Sequence, residues 1–112
     1  MVRLHQKVNS ERWYYHADRM GVVVMQDAVQ RYGHANASTI PFFEHDLVAM
    51  IEGRGNHPCI VQWETFNEGD CWAVFDAAGP PHSVNDTVAL ARRTDWQGRL
   101  VDTDSGGGAN DQ

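Results

Sequence analysis

An asparagine and a glutamate, Asn67-Glu68, follow an apolar run, Cys59-Ile60-Val61-Gln62-Trp63, within the stretch Phe66-Asn67-Glu68-Gly69. A carboxyl group at the C-terminal end of a buried strand, beside aromatic side chains, is partly desolvated. Desolvation favours the neutral acid, which can donate a proton near neutral pH. The adjacent amide both donates and accepts hydrogen bonds, which suits a hydroxyl-rich ligand. Gln26 and Asp27 follow the preceding apolar run, Val22-Val23-Val24-Met25, and Trp63, Phe66 and Trp72 lie near Glu68 in the chain. A three-residue Asn-Glu-Gly match is also an ordinary turn, so the reading depends on the elements that position it.

Those elements alternate. Val2 to His5 reads as a short strand. Ser10 is placed to cap a helix from about Glu11 to Met20, with Trp13, Ala17 and Met20 on one face and Gly21 at its C-terminus. The run Val22 to Met25 shows no polar alternation, as expected of a strand buried on both faces in a parallel sheet. Ala28 to Ile40 reads as a loop. Pro41 starts a second helix, where its missing N–H costs nothing, and Phe43, Leu47, Met50 and Ile51 recur at helical spacing. His57-Pro58 leads into the strand Cys59 to Trp63. Asp70 to His82 reads as a second long loop. Ser83 with Asp86 is a capping-box start for a third helix, with Val84, Val88 and Ala91 inward and Arg92-Arg93 at the negative end of its dipole. Leu100-Val101 opens a last strand. Strands alternating with helices predict parallel βα units. Both long loops follow strand C-termini, the edge that carries the chemistry in parallel α/β folds.

Composition narrows the partners. The chain has 112 residues, 15 acidic against 9 basic, and a formal net charge of −6. That length fits at most one small domain. The acid excess, with Lys7 as the one lysine and no basic run, argues against nucleic acid. No apolar stretch reaches the ~20 residues of a membrane span, and the N-terminal residues lack a signal-peptide pattern. Compartment and oligomeric state are not legible. Cys59 and Cys71 cannot build a disulfide scaffold, and neither they nor the six histidines show metal-ligand spacing, so no metal is expected. Gly106-Gly107-Gly108 is not followed by Lys-Ser/Thr, so no nucleotide cofactor is expected.

Several separated motifs, in order along nearly the whole chain, resemble the catalytic domain of glycoside hydrolase family 2, the β-galactosidase, β-glucuronidase and β-mannosidase group. They are Arg12-Trp13-Tyr14-Tyr15-His16-Ala17-Asp18-Arg19-Met20-Gly21 with Val22 to Asp27, Asn56-His57-Pro58-Cys59-Ile60-Val61-Gln62-Trp63 with Phe66-Asn67-Glu68-Gly69, and Arg99-Leu100-Val101-Asp102 before the glycine run. The resemblance implies a (β/α)₈ barrel of which this α/β chain is a part, covering about the second to fifth strands. It implies that Glu68 is the general acid/base and that Asn67 binds the sugar 2-hydroxyl. Arg3 falls on an arginine that supports the nucleophile, and His5 and Asp27 lie on the same rim, facing a carbohydrate substrate. Trp72, beside Glu68, offers a face for a sugar ring or a pin for its loop. The family retains configuration, with two carboxylates roughly 5–5.5 Å apart.

The chain departs from the family pattern at particular residues. Arg3-Leu4-His5 stands where the family often has Arg-x-Ser-His, and Asp70-Cys71 where many members have Trp-Gly. The family nucleophile, a glutamate ending the seventh strand, has no counterpart here. A complete barrel needs about 250 residues. The expectation is therefore a fragment, inactive alone, with open sheet edges and poor stability. Two other readings stand beside it: a non-catalytic carbohydrate-binding or interaction remnant, and a small flavodoxin-like binding domain.

Overall fold

The computed structural model describes residues 1–30, 36–68 and 71–105, without the side chains of Cys71 and Trp72. Four strands, β1 (Val2–Leu4), β2 (Val24–Asp27), β3 (Ile60–Phe66) and β4 (Leu100–Asp104), form one parallel sheet in the order β1-β2-β3-β4. Between them run α1 (Glu11–Met20), α2 (Ile40–Arg54), α3 (Cys71–Ala78) and α4 (Val84–Thr94), and a 3₁₀ turn, Ala37–Thr39, precedes α2. Each strand is laid beside the one before it, always on the same side. A flavodoxin-like sheet requires a reversal of strand order at a switch point, and this order has none. The flavodoxin-like expectation is therefore corrected.

Local chemistry accounts for most helix ends. Gly21 takes φ 67° at the end of α1, and its N–H reaches the carbonyls of Ala17 and Asp18. Pro41 lies in the first turn of α2. Ser83 and Asp86 form the expected capping box of α4. Ser10 sits at the N-cap of α1, but its side chain makes no capping bond there. The inward face of α1 is Tyr14 and Ala17, with Trp13 half-buried and Met20 exposed. This shifts the expected stripe by one residue, with Tyr14 rather than Trp13 in the core position. The second strand begins at Val24 rather than Val22, and the third extends to Phe66.

The stretch expected as a loop from Asp70 to His82 contains α3. Its sequence, Cys-Trp-Ala-Val-Phe-Asp-Ala-Ala, is nearly uniform in polarity and gives no helical contrast. Phe75 of α3 meets Phe66 and Phe43, with ring centroids 5.0 and 5.2 Å apart, and these aromatics join Ile40 and Val84 in a small core. Tertiary burial, not local pattern, holds this helix at the end of β3.

The main core lies on one face of the sheet. Leu4, Val24, Ile60, Trp63 and Val101 meet Tyr14 and Ala17 of α1, Leu47, Met50 and Ile51 of α2, and Val88 and Ala91 of α4. Trp63 is 0% exposed and belongs to this helix layer. The alternate strand positions carry a different set. Arg3 pairs in register with Met25, Gln62 with Met25 and Leu100, and Glu64 with Asp27 and Asp102. Successive strand residues point to opposite faces, so these residues share the second face. Around Arg3, Gln62, Glu64 and Asp102 it is polar, and these residues lie outside the main core.

Candidate functional site

Four of the residues singled out from sequence meet at the C-terminal edge of β1, β2 and β3. Arg3 leaves β1 and grips Asp27 with two bonds, Nε to Oδ1 and Nη2 to Oδ2, both 2.8 Å. The same Nη2 also donates to Oδ1 of Asn67 at 2.9 Å. His5 places Nδ1 3.1 Å from Asp27 Oδ2. The fork shape of a guanidinium suits this double contact, which an ammonium could not reproduce.

Asp27 is 2% exposed and acts as the hub. Besides Arg3 and His5 it accepts the backbone N–H of Gln6 at 3.2 Å. Gln6 sits at φ 51°, a left-handed conformation that costs a non-glycine residue about 1–2 kcal/mol. The turn after β1 thus aims its amide at the carboxylate. The bond to Asp27, with burial opposing it, raises the affinity of Arg3 for its proton and keeps the guanidinium charged. With both oxygens engaged, Asp27 orients other groups; it is His5, half exposed, that faces solvent.

A second network supports the hub from below. Gln26, fully buried, accepts from the Tyr14 hydroxyl and donates to the carbonyls of Lys7 and Asp27. It links α1, the turn after β1 and the end of β2.

Asn67 is 3% exposed and held in one orientation. Its Oδ1 accepts from Arg3 and, at 2.8 Å, from Ser105 Oγ at the end of β4. Its Nδ2 lies 3.4 Å from the carbonyl of Glu68, a long contact that leaves the amide donor available. Glu68 follows directly and is exposed. The expected aromatic surround of Glu68 is corrected: Trp63 points into the helix layer and Phe66 into the small aromatic core, because strand alternation and α3 take those rings away from the rim. Trp72 lies in the first turn of α3 rather than in a loop; its side chain, like Gly69, Asp70, His34 and the glycine run 106–108, is outside the described residues.

Sequence reasoning missed Glu64, Asp102, Asp104 and Ser105. Glu64 is 1% exposed, and burial, reinforced by Asp102, pushes its carboxyl up to about 7. Its signal was present as alternation: Gln62 and Glu64 between Val61, Trp63 and Thr65, and Asp102 and Asp104 between Val101 and Thr103. Among the described residues no group of three or more His, Cys, Asp or Glu could hold a metal ion.

No protein-family model matches the sequence. A β-galactosidase of Klebsiella pneumoniae is 29% identical over 75 residues, 60% of this chain and 7% of that protein. A β-galactosidase of Yersinia pestis bv. Antiqua (strain Angola) is 30% identical over 84 residues, 68% of this chain and 8% of that protein. The chain thus spans less than a tenth of the length of these relatives. The apo structure of a Ruminococcus gnavus β-glucuronidase superposes with a TM-score of 0.63 at 23% identity, covering 88% of this chain and 18% of that one. A Bifidobacterium dentium β-glucuronidase complexed with coumarin-3-O-glucuronide gives 0.56 at 24% identity, covering 89% and 17%. Over a short segment of each, the chain is similar in sequence to β-galactosidases and shares its α/β fold with β-glucuronidases.

Proposed function

We propose that this chain is part of the catalytic barrel of a retaining β-glycosidase of the glycoside hydrolase family 2 type, and that it carries the acid/base half of the active site. The observation that carries this reading is the Arg3–Asp27–Asn67 linkage, which fixes an amide donor beside an exposed glutamate at the C-terminal sheet edge. The sequential parallel order, with the main core gathered against α1, α2 and α4, supports a barrel wall over about the second to fifth strands, residues 1–112 forming one partial domain. The polar second face would then line the barrel interior.

In this mechanism Glu68 protonates the glycosidic oxygen as the leaving group departs, and afterwards takes a proton from the attacking water. Asn67 donates Nδ2–H to the sugar 2-hydroxyl, a bond that strengthens as positive charge develops at the anomeric carbon. Arg3, with Ser105, holds Oδ1 so that the donor faces outward. Asp27 keeps Arg3 in place, and His5 faces the sugar at the rim; Trp72 is the further residue assigned to the sugar. The nucleophile would be a glutamate from a later strand of the barrel.

The test is hydrolysis of aryl β-galactosides, β-glucuronides and β-mannosides by the chain alone and by the chain supplied with a polypeptide bearing the later strands. The chain alone is expected to be inactive. The reconstituted pair is expected to hydrolyse one class of glycoside, and Glu68→Gln to lose about 100- to 10,000-fold in rate. Turnover by the unaccompanied chain, or reconstituted turnover indifferent to Glu68→Gln, would overturn the reading.

A further inference from the structure

The polar face of the sheet carries more acid than the mechanism uses. The parallel register sets Asp27, Glu64 and Asp102 abreast on β2, β3 and β4, with adjacent strands about 4.8 Å apart. Asp104 stands further along β4, buried, with both carboxyl oxygens lacking a hydrogen-bond partner. Glu64 Oε1 is likewise buried and unpartnered. The groups that face Glu64 are Arg3 from β1, Asp27 from β2, and Asp102 and Asp104 from β4; Gln62, on its own strand, donates to Asp102. Arg3 faces these carboxyl groups from β1, and its Nε and Nη2 are already committed to Asp27 and Asn67.

We infer that Glu64 is a positioning residue of this site: as a neutral acid it leaves Arg3 bound to Asp27 and Asn67, and its ionisation draws the guanidinium off Asn67. This rests on the proposed function for the role of Asn67, but the coupling itself is a property of the chain. Buried carboxyl groups set side by side cannot all be charged. The proton that relieves the crowding sits on Glu64, where burial and the Asp102 charge hold it to about pH 7. Once that proton leaves, the new charge attracts Arg3 and repels Asp27, the group Arg3 now grips. Asn67 Oδ1 loses one of its two donors, and the amide is free to turn. The device would make sugar recognition fall on the alkaline side while Glu68 itself is untouched.

The test is NMR of the full 112-residue chain across neutral pH, following the Arg3 Nε–H and Asn67 side-chain amide resonances. Both are expected to move in one step with a midpoint of about 7. Glu64→Gln, which keeps the shape and stays neutral, is expected to abolish the step. Asp102→Asn, which removes a like charge, is expected to move the midpoint to lower pH. A flat wild-type profile, a step that survives in Glu64→Gln, or a midpoint unmoved by Asp102→Asn would overturn the inference. If Glu64→Gln fails to fold, the Asp102→Asn midpoint decides. A step seen in a chain that reconstitutes no hydrolysis would remove the glycosidase reading and leave the coupling; hydrolysis without the step would do the reverse.

Discussion

Asp27 shows how one carboxylate organises a site without touching a ligand. It collects donors from Arg3, His5 and Gln6, and Arg3 passes the constraint on to Asn67. Removing one partner of a buried charged pair costs more than the pair contributes, because the other charge is stranded. Asp27→Asn is therefore expected to destabilise the chain by about 2–3 kcal/mol, read as a lower urea midpoint at unchanged slope. An unchanged midpoint would mean that the hub does not carry the rim. Tyr14→Phe tests the layer below. It removes the hydroxyl that donates to Gln26 and leaves that buried acceptor unpaired, at a cost of about 1–3 kcal/mol by the same measurement. The residue-scale reading of the sequence singled out Asp27, Asn67 and Glu68 because their types and positions at strand ends are local facts, while Arg3 entered only through the family resemblance. It missed Glu64 because what matters there is its neighbours across two strand pairs, and register is invisible along one chain.

At the scale of elements, the entry to β3 is held by His57. Its Nδ1 lies 2.7 Å from Asp18 and its Nε2 2.7 Å from Glu11, both on α1, and its ring stacks on Tyr14 with centroids 5.1 Å apart. Asp18 also accepts the backbone N–H of Cys59, and Arg54 at the end of α2 pairs with Glu11. An imidazole with a carboxylate at each nitrogen is satisfied only as the cation, which donates twice. Burial alone would lower its proton affinity, but Asp18 and Glu11 outweigh that and raise it above the ordinary value of 6.5. The sign follows: this contribution is complete below pH 6.5 and is lost as pH rises through the higher folded value. Asp18 and Glu11 are shifted down, so theirs is lost only in acid, as pH falls through their lowered values. The chain is therefore expected to lose stability on going from about pH 6 to above pH 8, with Glu64 adding to that loss up to about pH 7, and His57→Gln to make the slope shallower when compared in a Glu64→Gln background. A wild-type profile already flat there would contradict the clamp. His57 was legible as part of the lead into this strand, but its two carboxylate partners were not, because α1 brings them to it only through the tertiary fold. Helix caps such as Gly21 and Ser83–Asp86 were legible because they are contained in a few consecutive residues. The helix α3 was not, since its uniform apolar sequence gives no period and its stability comes from Phe43 and Phe66.

For the whole molecule, the sheet order is the feature that suits the proposed barrel wall. The strands run in sequence and parallel, and the outer edges of β1 and β4 have no partner strand among the described residues. Unpaired edges and a polar face that buries carboxyl groups are liabilities. The purified chain is expected to associate with rising concentration in sedimentation; a monomer that stays monodisperse at every concentration would show that the sheet is self-sufficient. The central claim, that Glu68 is a general acid held beside a fixed Asn67, makes a sharper demand. A general acid matters most for a leaving group that cannot depart unprotonated. In the chain reconstituted with the later strands, Glu68→Gln should therefore cost far more with an alkyl β-glycoside than with a 4-nitrophenyl β-glycoside. The account predicts a gap of about 100-fold or more between the two losses; equal losses with both leaving groups would contradict it.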